Sequence, residues 1–155
     1  MKNKFPYECK PVIVTKDMCD LNGHMNVVDY AQIFENDCGD LYRDMGFTAE
    51  YFNEGFSSFT LEMNIRYLKE LKEGEKAYPY FRLFDVGPKL IHYGGIILTE
   101  EGELSATTEN MLVHVDMNVR KSSVMPAYLL DHLNKMREEH TKTGELDFDL
   151  RLKIK

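Results

Sequence analysis

The sequence lacks an apolar run long enough to cross a membrane and lacks a surplus of positive charge. Its longer apolar stretches, such as residues 94–98, fall far short of the roughly 20 residues that a membrane-spanning helix needs. The formal net charge is −7, whereas binding to nucleic acid depends on Lys and Arg side chains that neutralise phosphates. We therefore expect neither a membrane nor a nucleic acid as a partner.

Cysteine and processing signals are also scarce. Cys9, Cys19 and Cys38 are odd in number and form no Cys-x-x-Cys pair, which favours a reducing cytoplasm. The basic start of the chain is interrupted at residues 8–10 before an apolar signal segment can build. No Gly-rich phosphate-cradling motif is present. We expect a cytoplasmic protein that uses no cofactor and no metal.

The chain reads as one globular domain over residues 1–155. No repeat, low-complexity segment or linker divides it, and 43% of its side chains are hydrophobic. Apolar residues recur at steps of three and four between residues 27 and 45, which predicts a long amphipathic helix closed by Gly46. These residues are Val27, Tyr30, Ala31, Phe34, Cys38, Leu41, Tyr42 and Met45. Gly39 inside this helix costs about 1 kcal/mol relative to alanine, which predicts a close packing neighbour.

The remaining pattern predicts strands and a second helix. A short strand is expected at residues 11–15, and longer strands at 56–68, 77–86, 90–99 and 104–116. Short connections with turn signals favour an antiparallel meander. Gly94 and Gly95 indicate that something approaches the backbone closely. An amphipathic helix is expected from Pro126 to about His140.

The last eleven residues alternate strictly between apolar and charged side chains. The apolar ones are Leu146, Phe148, Leu150, Leu152 and Ile154. A period of two is what a half-buried strand requires. We expect an extra strand over residues 145–155, added to a free edge of the sheet, either the chain's own or that of a partner copy.

The run Asp20-Leu21-Asn22-Gly23-His24-Met25-Asn26 directly precedes the long helix. The first N–H groups of a helix lack intrahelical partners and carry partial positive charge, so they can hold an anion or a developing oxyanion. A purely structural role is the alternative: Asn26 and Asp29 would form a capping box, and Gly23 would allow a turn with positive φ.

This order of elements resembles the hotdog-fold thioesterases, and residues 20–30 resemble the 4-hydroxybenzoyl-CoA thioesterase-like group. The spelling Asp-x-Asn-x-His-x-Asn is also similar to the motif of plant acyl-carrier-protein thioesterases. The resemblance covers about residues 11–119. It implies an α+β hotdog fold, in which a curved antiparallel sheet wraps around one long central helix. The plant enzymes carry a further catalytic acid in the next strand, but Glu62 is out of register with it and is left out of the site.

The resemblance also implies residue roles. Asp20, Asn22 and His24 would be catalytic, and the backbone N–H of Val27 would face the thioester carbonyl. Asp20 would deprotonate water or attack directly, and Asn22 would orient the water or Asp20. His24 would serve as a further base or orient the carbonyl. Asp17, Asp20 and His24 lack the fourth partner of a zinc site, and His92 and His114, which alternate with apolar residues, are interpreted as structural.

A second resemblance concerns the acyl group. Residues 89–93 and 106–116 are similar to the hotdog subgroup associated with carnitine and betaine metabolism, which implies betainyl-CoA or another short acyl-CoA as substrate. A cage for a quaternary ammonium could use cation–π attraction, although most aromatics at such spacings belong to a core. Its members would be Tyr30, Phe34, Phe56, Phe59 and Tyr93. The candidates for the substrate pocket are Gly23, Asn26, Tyr30, Phe34 and Phe59.

Three functions remain open at this point. The first is an acyl-CoA thioesterase, which hydrolyses the thioester to the free acid and CoA. The second is a hotdog-fold hydratase or dehydratase that acts on acyl-CoA, and the third is a non-catalytic acyl-CoA binding protein. Exposed edge strands favour a homo-oligomer, at least a homodimer. The resemblance implies active sites at the subunit interface, in a homodimer or a homotetramer.

Overall fold

The computed structural model describes the backbone of all 155 residues and the side chains of residues 1–36 and 39–155. The helices are α1 (Val27–Asp44), α2 (Ala49–Asn53) and α3 (Ala127–Thr141). The strands are β1 (Tyr7–Glu8), β2 (Val12–Ile13), β3 (Phe56–Tyr67), β4 (Lys76–Val86), β5 (Leu90–Leu98), β6 (Leu104–Asp116) and β7 (Lys121–Ser122). The predicted place of Cys38 on the apolar helix face lies outside the described side chains.

One antiparallel sheet carries the fold, in the order β1-β4-β5-β6-β3, with β2 also paired to β4 and β7 to β6. Strands β4, β5 and β6 form the predicted meander, but β3 pairs with β6 rather than with β4. The connection after β3 explains this difference. Leu68 and Lys69 both donate backbone N–H groups to Ser105 O, and Leu71 is buried in the core, so the chain crosses the end of the sheet before β4 begins.

Helix α1 packs its apolar face onto this sheet. Its buried side chains meet Phe81, Leu83 and Ile91 of the sheet in the main core. They are Tyr30, Ile33, Phe34, Leu41 and Met45. The amphipathic helix, the hotdog fold and the sheet around the helix are therefore confirmed. Gly46, with a φ of 103°, allows the turn after the helix. Within the part of the chain that the structure describes, no helix is both long and apolar enough to cross a bilayer.

Three glycines differ sharply in their surroundings. A Cβ added to Gly94 would lie 2.2 Å from the carbonyl oxygen of Thr108, and one added to Gly95 would lie 2.7 Å from the Phe81 ring. The predicted close approach at these positions is confirmed. A Cβ at Gly39 would meet no described atom within 4 Å, so the predicted close packing neighbour of Gly39 is wrong.

Alanine at two of these glycines should therefore act in opposite directions. Gly94→Ala forces a backbone oxygen to move, and we expect it to lower the free energy of unfolding by about 3 kcal/mol. Gly39→Ala adds a better helix former in open space and should raise that free energy by up to about 1 kcal/mol. Urea unfolding of both variants measures the two effects. A Gly94→Ala protein that unfolds at the wild-type urea concentration would contradict the close approach.

The face of the sheet away from α1 carries a second apolar cluster. It consists of Phe5, Tyr80, Ile96 and Leu98, and Leu146 and Phe148 pack against it. We call residues 145–155 the tail. Burial along the tail alternates as predicted, but the tail forms no strand in the described chain, so the predicted pairing with its own sheet is wrong, while pairing with a partner copy stays a prediction. Its amides are used elsewhere, because Arg151 and Leu152 donate their N–H groups to the carboxylate of Glu109 at 2.9 and 3.0 Å.

Segments from near both ends of the chain meet on this outer face. The buried guanidinium of Arg82 donates to the carbonyl oxygens of Lys4 and Gly144 at 3.1 and 2.7 Å. Lys4 also forms an ion pair with Asp147, and Phe5 stacks on Phe148 with the ring centroids 6.1 Å apart. Helix α3 lies where the second helix is predicted, and His140 Nδ1 accepts the N–H of Leu83 in β4 at 2.9 Å.

Candidate active site

The loop before α1 folds into a narrow turn that is fixed at its far end. Asp20 N–H donates to His24 O at 3.2 Å, and Gly23 N–H donates to Asp20 O at 3.0 Å. Gly23 has a φ of 80°, a conformation in which other residues are strained. Met25 N–H then donates to Leu71 O at 2.7 Å, which anchors the loop to the core. The polar run is therefore a rigid turn and not a loose linker.

Asp20 is half-buried on this turn. Its Oδ1 accepts the backbone N–H of Asn22 at 2.8 Å. None of the hydrogen bonds among the described residues engages Oδ2, so this oxygen can take a proton from water or attack a carbonyl carbon. Asn22 is exposed beside it, where its amide can both donate and accept.

The ring of His24 has a defined orientation. Its Nδ1 lies 3.1 Å from the carbonyl oxygen of Met25. A carbonyl oxygen only accepts, so Nδ1 donates, and in the neutral ring Nε2 is left as an acceptor. His24 is half-buried, and Nε2 can act as a base or accept a hydrogen bond from water.

The N-terminus of α1 is not capped by a side chain. Asn26 occupies the N-cap position with extended backbone, but its side chain makes no capping hydrogen bond. The predicted capping box of Asn26 and Asp29 is therefore wrong. The N–H groups at the start of the helix have no intrahelical acceptor, and Val27 is 54% exposed. An oxyanion can approach the N–H of Val27 at the positive end of the helix dipole.

The structure does not bring all the predicted pocket residues to this turn. Tyr30 and Phe34 are buried in the main core; Tyr30 OH donates to Lys69 O at 3.3 Å, and the Phe34 ring meets that of Phe81 edge-on at 6.1 Å. Gly23 forms the turn and Asn26 lies at its base. Helix periodicity places Tyr30 and Phe34 on the core side, and their pocket roles stay a prediction.

Phe59 lies on the other face of the sheet. The neighbouring Ser58 hydrogen-bonds Tyr42 of α1, so Phe59 points away from the helix, and its ring lies 5.7 Å from the guanidinium carbon of Arg120. Within the single chain Phe59 therefore does not face α1, and its pocket role stays a prediction. Tyr93 is buried and Phe56 packs against His114, so the predicted five-membered aromatic cage does not form within the chain.

Sequence reasoning missed one aromatic residue at the start of α1. Tyr67, the last residue of β3, donates its OH to Val27 O at 3.3 Å. Its ring meets Tyr30 edge-on at 5.3 Å, and 47% of the residue is exposed. Only its place at the end of a predicted strand marked it, since the contact joins residues 40 positions apart.

The buried histidines lie away from this turn. His114 Nε2 lies 2.5 Å from Tyr51 OH and its Nδ1 lies 2.9 Å from Ser123 Oγ, so its predicted structural role is confirmed. His92 Nε2 lies 3.4 Å from a carboxylate oxygen of Glu109. Burial lowers the pKa of both rings. Across the described side chains, no three potential metal ligands come close enough to share an ion.

Removing the neighbours of Asp20 should affect catalysis and not folding. We expect Asn22→Ala and His24→Ala each to reduce turnover and to leave the melting temperature within a few degrees of wild type, because both side chains lie on a turn that backbone hydrogen bonds hold. Steady-state rates and thermal melts measure the two effects. A His24→Ala protein that unfolds, but keeps its activity per folded molecule, would make His24 structural.

Comparison with known proteins places the chain in a family. The sequence model of the thioesterase-like superfamily matches residues 13–133, and the chain belongs to this superfamily. It is 35% identical over 147 residues to the L-carnitine dehydrogenase/betainyl-CoA thioesterase of Agrobacterium fabrum, which covers 90% of this chain and 30% of that protein. It is 27% identical to the betainyl-CoA thioesterase of Pseudomonas aeruginosa, over 82% of this chain and 81% of that protein. The chain thus spans about 30% of the length of the Agrobacterium relative.

Solved structures agree with the fold. A Staphylococcus aureus protein in complex with CoA superposes with a TM-score of 0.77 at 23% identity, covering 94% of this chain and 92% of that chain. The DHNA-CoA thioesterase of the same organism superposes with a TM-score of 0.76 at 21% identity, covering 90% and 97%. These likenesses confirm the predicted hotdog fold.

Proposed function

We propose that the protein is an acyl-CoA thioesterase, which hydrolyses an acyl-CoA thioester to the free acid and CoA. The observation that carries this proposal is the half-buried carboxylate of Asp20 on a fixed turn directly before a helix N-terminus that no side chain caps. Hydrolysis of a thioester needs a carboxylate that acts as base or nucleophile and a site that stabilises the oxyanion. Here the two groups are close together along the chain. Membership of the thioesterase-like superfamily supports it.

The reaction needs four tasks from these residues. Asp20 takes the proton of an attacking water or attacks the thioester carbon itself, while Asn22 orients the water. The N–H of Val27 holds the negative charge that develops on the carbonyl oxygen. His24 Nε2 accepts a hydrogen bond from the water or acts as a further base. The thiolate of CoA then leaves. If water attacked, the free acid is formed at once; if Asp20 attacked, water must still hydrolyse the anhydride between Asp20 and the acyl group, which releases the acid and restores the carboxylate.

We propose a short acyl group, with betainyl-CoA as the first substrate to try. The named activities of the Agrobacterium and Pseudomonas relatives include betainyl-CoA hydrolysis. The scarcity of cysteine supports our proposal that the protein works in the cytoplasm.

Release of the CoA thiol tests the function directly. A panel of acyl-CoA esters, with betainyl-CoA among them, is incubated with the protein and a thiol-trapping dye. We expect thiol release that saturates with substrate and that is retained in Asp131→Asn, a change at an exposed site on α3. Water addition to an enoyl-CoA would instead identify a hydratase, and saturable binding without any reaction would identify a binding protein.

We propose that a second copy of the chain covers β3. This strand lies at the edge of the sheet, all twelve of its residues are half-buried or exposed, and Leu61 is 61% exposed. An uncovered edge of this length presents unpaired backbone groups, which proteins usually cover. The bond from Tyr67 to Val27 ties the end of β3 to the start of α1, so this contact would lie beside the proposed site.

Light scattering should give at least a dimer at micromolar concentration. A mass of 18.1 kDa would be that of the monomer and would contradict the proposal. Leu61→Glu places a charge on the β3 edge and should shift the protein toward the monomer. Ile13→Glu is the matched control, because Ile13 is 57% exposed on β2 at the other side of the sheet. A dimer that is lost equally in both variants would mean that β3 is not the contact.

A further inference from the structure

Tyr67 combines three properties that the other aromatic residues of the chain do not share. Its OH donates to the carbonyl oxygen of Val27, the residue whose N–H is the proposed oxyanion donor. Its ring is held edge-to-face by Tyr30 at 5.3 Å and 76°. The residue is nevertheless 47% exposed. The Tyr67 ring is thus held against Val27, the residue that carries the proposed oxyanion donor, and part of its surface is open to solvent.

The partners of Tyr67 are themselves fixed. Tyr30 is buried, and its OH reaches Lys69 O at 3.3 Å and Ser105 Oγ at 3.4 Å. Burial of the phenol raises the pKa of Tyr67, so the ring stays neutral. An edge-to-face neighbour together with a hydrogen bond at the far end of the side chain leaves little rotamer freedom. A ligand therefore meets a preformed surface, which lowers the entropic cost of binding.

A quaternary ammonium is a ligand that hydrogen bonds cannot recognise. It carries no N–H, so carbonyl and hydroxyl oxygens cannot recognise it by accepting a hydrogen bond. Aromatic faces attract it through their negative quadrupole when the charge lies within about 6 Å of the ring centroid. In a betainyl thioester the ammonium is only one methylene away from the reacting carbonyl carbon. A carbonyl bound at Val27 N–H therefore brings its ammonium to the same end of α1 at which the Tyr67 ring lies.

We propose that Tyr67 is a specificity-determining residue that selects acyl groups carrying a quaternary ammonium beside the thioester, a role that rests on the proposed thioesterase activity. Acidic residues near the turn support the choice of a cation. Asp20 lies on the turn itself, and Asp29 is in the first turn of α1.

The test compares two substrates of equal shape. Betainyl-CoA and tert-butylacetyl-CoA differ in one atom, a charged nitrogen in place of a neutral carbon. The measured quantity is the ratio of their kcat/KM values, from which any general damage to catalysis cancels. We expect Tyr67→Leu to lower this ratio about tenfold. Tyr67→Phe keeps the ring and should keep the ratio within about threefold, even though it loses the bond to Val27.

A matched control and a shape-preserving variant complete the test. Tyr128→Leu removes a tyrosine that is 60% exposed on α3, and it should leave the ratio unchanged. If Tyr67→Leu does not fold, pentafluorophenylalanine at position 67 keeps the shape and reverses the ring quadrupole, and it should lower the ratio in the same direction. An unchanged ratio in these variants, with both substrates hydrolysed, overturns the role of Tyr67. If the wild-type protein hydrolyses neither substrate, the role proposed for Tyr67 is overturned. If it still hydrolyses other esters of the panel, the proposed thioesterase function stands.

Discussion

Asp20→Asn should lower turnover at least about 100-fold, the scale of losing a positioned base or nucleophile. The amide has the shape of the carboxylate, and its Oδ1 can still accept the N–H of Asn22 that shapes the turn. It cannot take a proton from water, and it is a poor nucleophile. We therefore expect a large loss in kcat with an unchanged melting temperature.

A charge-matched variant separates this effect from a general loss of negative charge. Asp131→Asn removes one carboxylate from the exposed surface of α3 and should keep wild-type turnover. Thiol-release rates and thermal melts of both variants give the comparison. Near wild-type turnover in Asp20→Asn would exclude Asp20 as base or nucleophile and would return the turn to the structural role that its glycine and hydrogen bonds also allow.

Removal of the tail should produce the largest loss of stability. Deletion of residues 145–155 takes away the N–H groups that Arg151 and Leu152 donate to Glu109, a residue that is only 1% exposed. Hydrogen bonds to a charged group contribute about 1.5–3 kcal/mol each. The deletion also uncovers Phe5 and the apolar side chains around it, at about 1.5–3 kcal/mol for each large one. We expect a loss of about 4 kcal/mol or more, a large part of the stability of an ordinary domain.

Glu109→Gln isolates the polar part of that loss. Both tail N–H groups reach Oε2 of Glu109, so the glutamine oxygen can still accept them, but it lacks the negative charge that strengthens these bonds. We expect a loss of about 2 kcal/mol. Glu103→Gln is the control, because Glu103 makes an exposed ion pair with Lys69 and should cost less than about 1 kcal/mol. Urea unfolding gives the three free energies. A truncated protein with wild-type stability would show that the tail contributes nothing to the fold.

The tail also shows how far a period-two pattern can be trusted. Alternation predicted which side chains turn inward, and Leu146, Phe148 and Leu152 do so. It could not predict what the backbone would bind, because Glu109 is some 40 residues earlier in the chain and no local signal pairs the two. Strand β3 gives the same lesson, since its boundaries followed from its residues but its place beside β6 depended on where Leu71 is buried.

The candidate site divides in the same way. Asp20, Asn22 and His24 could be found because one short turn carries them, and the turn and the helix start are both local features. The aromatic residues were harder to place because regular spacing signals burial more strongly than it signals binding. Tyr30 and Phe34 are buried in the core. Tyr67 instead contacts the start of α1 through a hydrogen bond to Val27, a residue 40 positions earlier in the chain.

The contact of Arg82 with two distant segments has a consequence for stability. Arg82 binds the carbonyl oxygens of Lys4 and Gly144, so one buried side chain connects the residues before β1 with those after α3. Beyond these contacts the two segments separate: Lys2 lies over Tyr80, whereas Ile154 lies beside Gly87, directly after β4. Loss of the Arg82 side chain would therefore release both segments from the outer face at once, although they stand at opposite ends of the sequence.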